Sequence, residues 1–125
     1  MSLGAALLAR LELPCRDIAR QRDFYGRILG LAPAEGIPAG FRCGAVRLVL
    51  RSRGDALFPA GGQPGEGAAL LAFPVEEAEL ERWHRRMMMA RVAVLESPGP
   101  GGAPPRVLRV ADPEGNVVEL FATAP

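Results

Sequence analysis

The chain repeats itself. Leu11-Glu12-Leu13-Pro14-Cys15 reads as a strand and is followed by a helical run from Asp17 to Leu29. Sixty residues on, Leu71-Ala72-Phe73-Pro74-Val75 reads as a strand and is followed by a helical run from Glu77 to Met89. The spacing holds marker by marker: Pro14 with Pro74, Cys15 with Val75, Asp17 with Glu77. Each half then continues into a strand entered by glycine, Gly44-Ala-Val-Arg-Leu-Val-Leu and Gly115-Asn-Val-Val-Glu-Leu-Phe. A repeat of this kind specifies one supersecondary unit used twice. The expected fold is α+β, two βαββ modules over about residues 8–52 and 68–123, joined by a linker over 53–67 within a single domain spanning 1–125.

Local signals place the elements. In the first helix Ile18, Tyr25, Ile28 and Leu29 fall on one stripe, with Asp17 as N-cap and Gly30 as the stop. In the second, Leu80, Trp83, His84 and Met87 share a face. Glu76, Glu77, Glu79 and Glu81 precede Arg82, Arg85 and Arg86, an order that complements the helix dipole. Asp112-Pro113-Glu114-Gly115-Asn116 is a turn in which proline presets φ and glycine takes the left-handed position. It joins antiparallel strands expected over Arg106–Ala111 and Val117–Ala122. Ser97 to Pro105, rich in proline and glycine, reads as a loop.

Composition removes several chemistries. All 15 basic residues are arginine, so no lysine can form a Schiff base. One histidine, His84, and two cysteines cannot build a His/Cys metal cage. Three serines and one threonine with no suitably placed histidine give no Ser–His triad. A net charge of +1 provides no global field for nucleic acid or an anionic membrane, and neither is an expected partner. The longest apolar run, Ala68 to Val75, is too short to span a bilayer, and Met1 to Ala9 lacks the basic start of a signal peptide. Cys15 and Cys43 read as small strand side chains in a reducing compartment, so a cytoplasmic protein is expected.

At this point the motifs resemble a family. Leu13-Pro14-Cys15-Arg16-Asp17, then Phe24-Tyr25, then Ile28-Leu29-Gly30-Leu31, is similar to the opening of the vicinal-oxygen-chelate superfamily. That superfamily comprises glyoxalase I, bleomycin-resistance proteins, fosfomycin-resistance enzymes and extradiol dioxygenases. Asp112 to Leu120 resembles its closing motif. The resemblance implies two βαββ modules in pseudo-twofold repeat whose sheets form a cup, with helices outside, and it implies a homodimer. With the strand period of two, Leu11, Leu13 and Cys15 would back onto the helix, leaving Arg10, Glu12 and Pro14 inward. In the last strand Val118 and Leu120 would back the helix, with Val117, Glu119 and Phe121 inward.

Metal-using members carry a donor at the start of each first strand and a glutamate on each last strand. Carried onto this sequence, those positions are Arg10, Leu70, Glu119, and Leu48 or, with a slip of one, Arg47. Arginine cannot release its proton to a cation, and leucine has no lone pair. Glu119 is the only matching ligand position, and one carboxylate does not hold a divalent ion against water. No metal cofactor is therefore expected. Arg10, near Glu12 and Glu119, would instead give the cup a polar floor for a carboxylate, a phosphate or an amine. The ligand-binding set expected from sequence is Arg10, Glu12, Arg47, Leu48, Leu70, Glu119 and Phe121.

Three functions compete at this level. The first is a metal-free binder of a small molecule within the glyoxalase/bleomycin-resistance group. The second is an enzyme of the same superfamily, lyase or dioxygenase in type, using Glu119 with a metal or Glu119 or Glu12 in acid–base chemistry. The third is a structural subunit with a vestigial cavity. His84, the Met87-Met88-Met89 run and the Arg82, Arg85, Arg86 cluster read respectively as a packed histidine, core and dimer filler, and a solvated helix end.

Overall fold

The computed structural model describes residues 1–60, 69–99 and 106–123, which form two units dividing between residues 61 and 62. In unit 1, β1 (Arg10–Cys15) is followed by α1 (Ile18–Asp23), whose winding widens into a π turn over Phe24–Ile28. Asp17 starts the helix as expected: its side chain accepts a hydrogen bond from the Arg20 backbone N–H at 3.1 Å. The Leu29 N–H donates to the Phe24 carbonyl five residues back at 2.8 Å, and Gly30 at φ +78° ends the run. Phe24, Tyr25, Ile28 and Leu29 are buried, and Gln21 is fully buried as well. Phe24 and Gln21 thus join the stripe anticipated from sequence, while Ile18 is only half-buried. The Phe24 and Tyr25 rings meet edge to face at 4.9 Å, and each ring removed from water contributes about 1.5–3 kcal/mol.

β2 (Gly40–Cys43) and β3 (Val46–Ser52) complete a three-stranded sheet of order β1-β3-β2. β1 runs parallel to β3, and β2 antiparallel to it. Strand alternation sorts the side chains. Leu13, Cys15, Leu48 and Leu50 are buried on the face that carries α1. Leu11 shares their parity but is 40 % exposed, because it lies at the start of the strand.

Unit 2 repeats the plan with one addition. β4 (Leu70–Glu76) passes through a short 3-10 turn at Glu77–Glu79 into α2 (Leu80–Met89). β5 (Val94–Glu96), β6 (Val107–Ala111) and β7 (Val117–Thr123) follow, in a mixed sheet of order β4-β7-β6-β5. The short β5, bulged where it meets β6, had no counterpart in the sequence reading. Val118 and Leu120 are buried with Leu108, Val110, Leu80 and Met87. Trp83 and His84 are half-buried. Met88 and Met89 are 59 % and 86 % exposed, so of the three methionines only Met87 is core. Arg106 donates to Glu77 at 3.2 Å and to Glu81 at 3.1 Å, which ties the entrance of β6 to the start of α2.

The Asp112–Asn116 turn is built as expected and more. The buried Asp112 carboxylate accepts from the Glu114 N–H at 2.9 Å, the Asn116 N–H at 2.9 Å and the Asn116 Nδ2 at 3.0 Å. Gly115 sits at φ +91°, where a side chain would be strained. Asn116 in turn accepts from the Ala69 N–H at 3.2 Å, fastening the hairpin to the start of β4. The expected linker belongs partly to unit 1, since residues 53–60 are described there, while 61–68 lie outside the described residues, as do 100–105 of the expected loop. Among the described residues no helix is long and apolar enough to cross a membrane.

Candidate functional site

Each sheet has one face packed against its helix, and ladder register fixes which residues stand on the opposite face. In unit 1, Arg10 of β1 is level with Arg47 of β3, which is level with Arg42 of β2. Three arginines therefore cross the sheet in one row, with neighbouring strands about 4.8 Å apart. One row further along lie Glu12, Val49 and Gly40, and beyond them Pro14 and Arg51. Directly opposed like charges destabilise a sheet. This row is a concentration of positive charge that folding does not require.

Carboxylates neutralise part of it. Glu12 receives Arg10 Nε at 2.9 Å and Arg51 Nη1 at 3.0 Å. Arg51 also donates to Asp55 at 2.7 Å and lies over the Phe58 ring, 5.5 Å from its centre. The Arg10 hydrogen bond, and after it that of Arg51, holds the Glu12 carboxyl below the usual glutamate value. Among the described residues no carboxylate pairs with Arg42 or Arg47.

The corresponding face of unit 2 is different in character. Ala72, Glu119, Arg109 and Glu96 form one row across all four strands. Arg109 donates from Nε to Glu119 at 2.8 Å and from Nη1 to Glu96, and the Glu119 hydrogen bond heads the causes that raise its pKa. The rows on either side are mostly apolar: Leu70, Val117 and Ala111 on one, Pro74, Phe121 and Val107 on the other.

Six of the seven residues expected at the site stand on these faces: Arg10, Glu12 and Arg47 in unit 1, Leu70, Glu119 and Phe121 in unit 2. Leu48 does not. It is 2 % exposed on the helix-bearing face, together with Leu50. The register also corrects the counterpart of Glu119. Glu119 pairs with Ala72, whose repeat mate is Glu12, and Glu12 pairs with Val49. The equivalent position is thus Val49, neither Leu48 nor Arg47. Within unit 1 Arg10 donates to Glu12, and within unit 2 Glu119 accepts from Arg109.

The four donor positions implied by the superfamily are therefore Arg10, Val49, Leu70 and Glu119. Three cannot donate a lone pair, and the fourth is committed to a guanidinium. Among the described residues no three His, Cys, Asp or Glu side chains converge as metal ligands would. Neither pair, Arg10 with Val49 in unit 1 or Leu70 with Glu119 in unit 2, fits a divalent ion.

Sequence reasoning missed Arg51, Arg42 and Arg109. Arg51 was within reach, since Arg47, Val49 and Arg51 alternate along one strand. Arg109 was too, being placed symmetrically with Glu119 about the Asp112–Asn116 turn. Arg42 needed the β2–β3 register, which no local signal carries.

Residues 7–120 match the model of the Glyoxalase/Bleomycin resistance protein/Dioxygenase superfamily, and the chain belongs to that superfamily. No curated protein sequence matches it. Among solved structures it is similar to a glyoxalase/dioxygenase from Nostoc punctiforme, with a TM-score of 0.77 and 20% identity over 100% of this chain and 96% of that one. A glyoxalase/bleomycin resistance protein/dioxygenase from Nocardioides gives a TM-score of 0.75 and 20% identity, covering 97% of this chain and 85% of the other. Lactoylglutathione lyase from Agrobacterium tumefaciens gives 0.65 and 24% identity over 95% of each chain. At these identities the likeness is one of fold.

Proposed function

We propose that this chain is a metal-free small-molecule binder of its superfamily, and that the group it recognises is an anion held on the face of the unit 1 sheet turned away from α1. The observation that carries this reading is the row Arg10–Arg47–Arg42, of which Arg42 and Arg47 are matched by no described carboxylate. Arginine presents a planar fork of donors suited to carboxylate and phosphate. Of the three ligand classes left open by the sequence, the amine is disfavoured by this charge. Absence of a metal is supported by the donor positions, and the commitment of Glu119 to Arg109 speaks against Glu119 as a general base.

A thermal-shift screen of small organic acids and amines tests the reading. Acids should raise the melting temperature, amines should not, and Arg47→Gln should remove the response. Amine hits alone, or acid hits indifferent to Arg47→Gln, would overturn it. Elemental analysis of the purified protein should find no stoichiometric divalent ion.

A homodimer is part of the same proposal. β1 and β4 are end strands of their sheets, and Met88 and Met89 stand exposed on α2. Light scattering should give twice the chain mass, and a monomer at micromolar concentration would reject the dimer. Neither Cys15 nor Cys43 is in a disulfide, in keeping with a cytoplasmic location.

A further inference from the structure

We infer that the anion bound on the unit 1 face carries two negative charges within one compact group or a short chain: a dianion, such as a dicarboxylate or a phosphate monoester. This deepens the proposed function and rests on it. The strands place four guanidinium groups on this face, those of Arg10, Arg42, Arg47 and Arg51. Two carboxylates engage them, Glu12 between Arg10 and Arg51, and Asp55 on Arg51. Among the described residues two positive charges remain unmatched, and they are not scattered. Arg47 and Arg42 are directly paired across the β2–β3 ladder, so their Cα atoms lie only about 4.5–5.5 Å apart.

That closeness decides the class of ligand. A monoanion between two adjacent guanidinium groups would leave one charge unmatched, and like charges at directly opposed positions repel. A dianion of matching span removes both at once, each guanidinium receiving its own charge-assisted hydrogen bonds. The Glu12 bridge contributes to selectivity from the other side. It occupies Arg10 and Arg51, so a third negative charge on the ligand would meet a carboxylate already in place. The face is thus built to prefer two charges over one and over three.

Titration calorimetry at pH 8 and constant ionic strength, with acetate, succinate, citrate and inorganic phosphate as probes, tests this on the full chain. Succinate or phosphate should bind at least about tenfold more tightly than acetate, the equivalent of one added charged hydrogen bond. Citrate should show no further gain over succinate. Preference for succinate over phosphate identifies a dicarboxylate as the source, and the reverse identifies a phosphoryl group. The double variant Arg42→Gln/Arg47→Gln should abolish the preference. Because it relieves a like-charge pair, it should melt no lower than the parent, so that lost binding is not lost folding. Acetate and succinate binding equally, both sensitive to Arg47→Gln, would overturn the dianion while leaving the anion reading standing. Tighter binding of citrate than of succinate would also overturn it. No binding by any of the four probes would overturn both.

Discussion

Glu12 shows how much a single carboxylate can organise. Placed at the middle of β1 and facing away from α1, it bridges Arg10 and Arg51 and so divides the charge of its sheet face into a satisfied part and an unsatisfied part. Its pKa is depressed in the folded chain, chiefly by the Arg10 hydrogen bond. A depressed carboxylate contributes stability above its unfolded value, and that contribution is lost as pH falls through the folded value. Asp23, held by Arg27, and Asp55, held first by the Phe58 N–H and then by Arg51, act in the same sense. Melting temperatures measured from pH 7 down to pH 3 should therefore fall. Glu12→Gln should melt below the parent at neutral pH, and the gap should close below the ordinary glutamate value of 4.5. A gap that stayed constant to pH 3 would mean that the Glu12 ion pairs add nothing.

At the scale of elements, the β6–β7 hairpin is the part most completely written in local sequence. Asp112, Gly115 and Asn116 each do what their residue types do in isolation, and the turn follows. What the turn pattern did not reveal is that Asp112 and Asn116 are buried and that Asn116 reaches Ala69 at the start of β4. Asp112→Ala should accordingly cost more than a surface turn substitution, about 2–4 kcal/mol, because buried donors lose their acceptor. Asp112→Asn, which keeps one carbonyl oxygen, should cost roughly half as much. Urea denaturation of both variants measures this. Two near-neutral values would show that the turn is held by its backbone alone. The helices were legible in the same way: Asp17 and Gly30 bound the first of them where capping preference put them. α2 was less so. Glu77 and Glu81 read as dipole partners, and they do precede the helix's arginines, but Arg106 from a distant strand also holds them. No window of local sequence contains that contact.

At the scale of the molecule, both units put a central strand between neighbours, β3 in one and β7 in the other, with β1 and β4 at the sheet ends. Strands paired on both sides open only with their unit, while end strands can fray alone. Native-state hydrogen exchange should find the amides of β3 and β7 slower than those of β1 and β4, and faster exchange in β3 or β7 would contradict this sheet order. The repeat, the α+β class, the two modules and the parity of Leu13, Cys15, Val118 and Leu120 were all determined by the sequence alone. They depend on spacing, alternation and turn chemistry, which act between residues close along the chain. The tertiary structure alone decided that Arg42, Arg47 and Arg10 stand in a row, that Val49 rather than Leu48 answers to Glu119, and that Glu119 belongs to Arg109. Each of those is a matter of register between strands far apart in sequence. A shift of one residue turns every side chain to the opposite face, and the buried leucines that prevent such a shift take effect only once the sheet has formed.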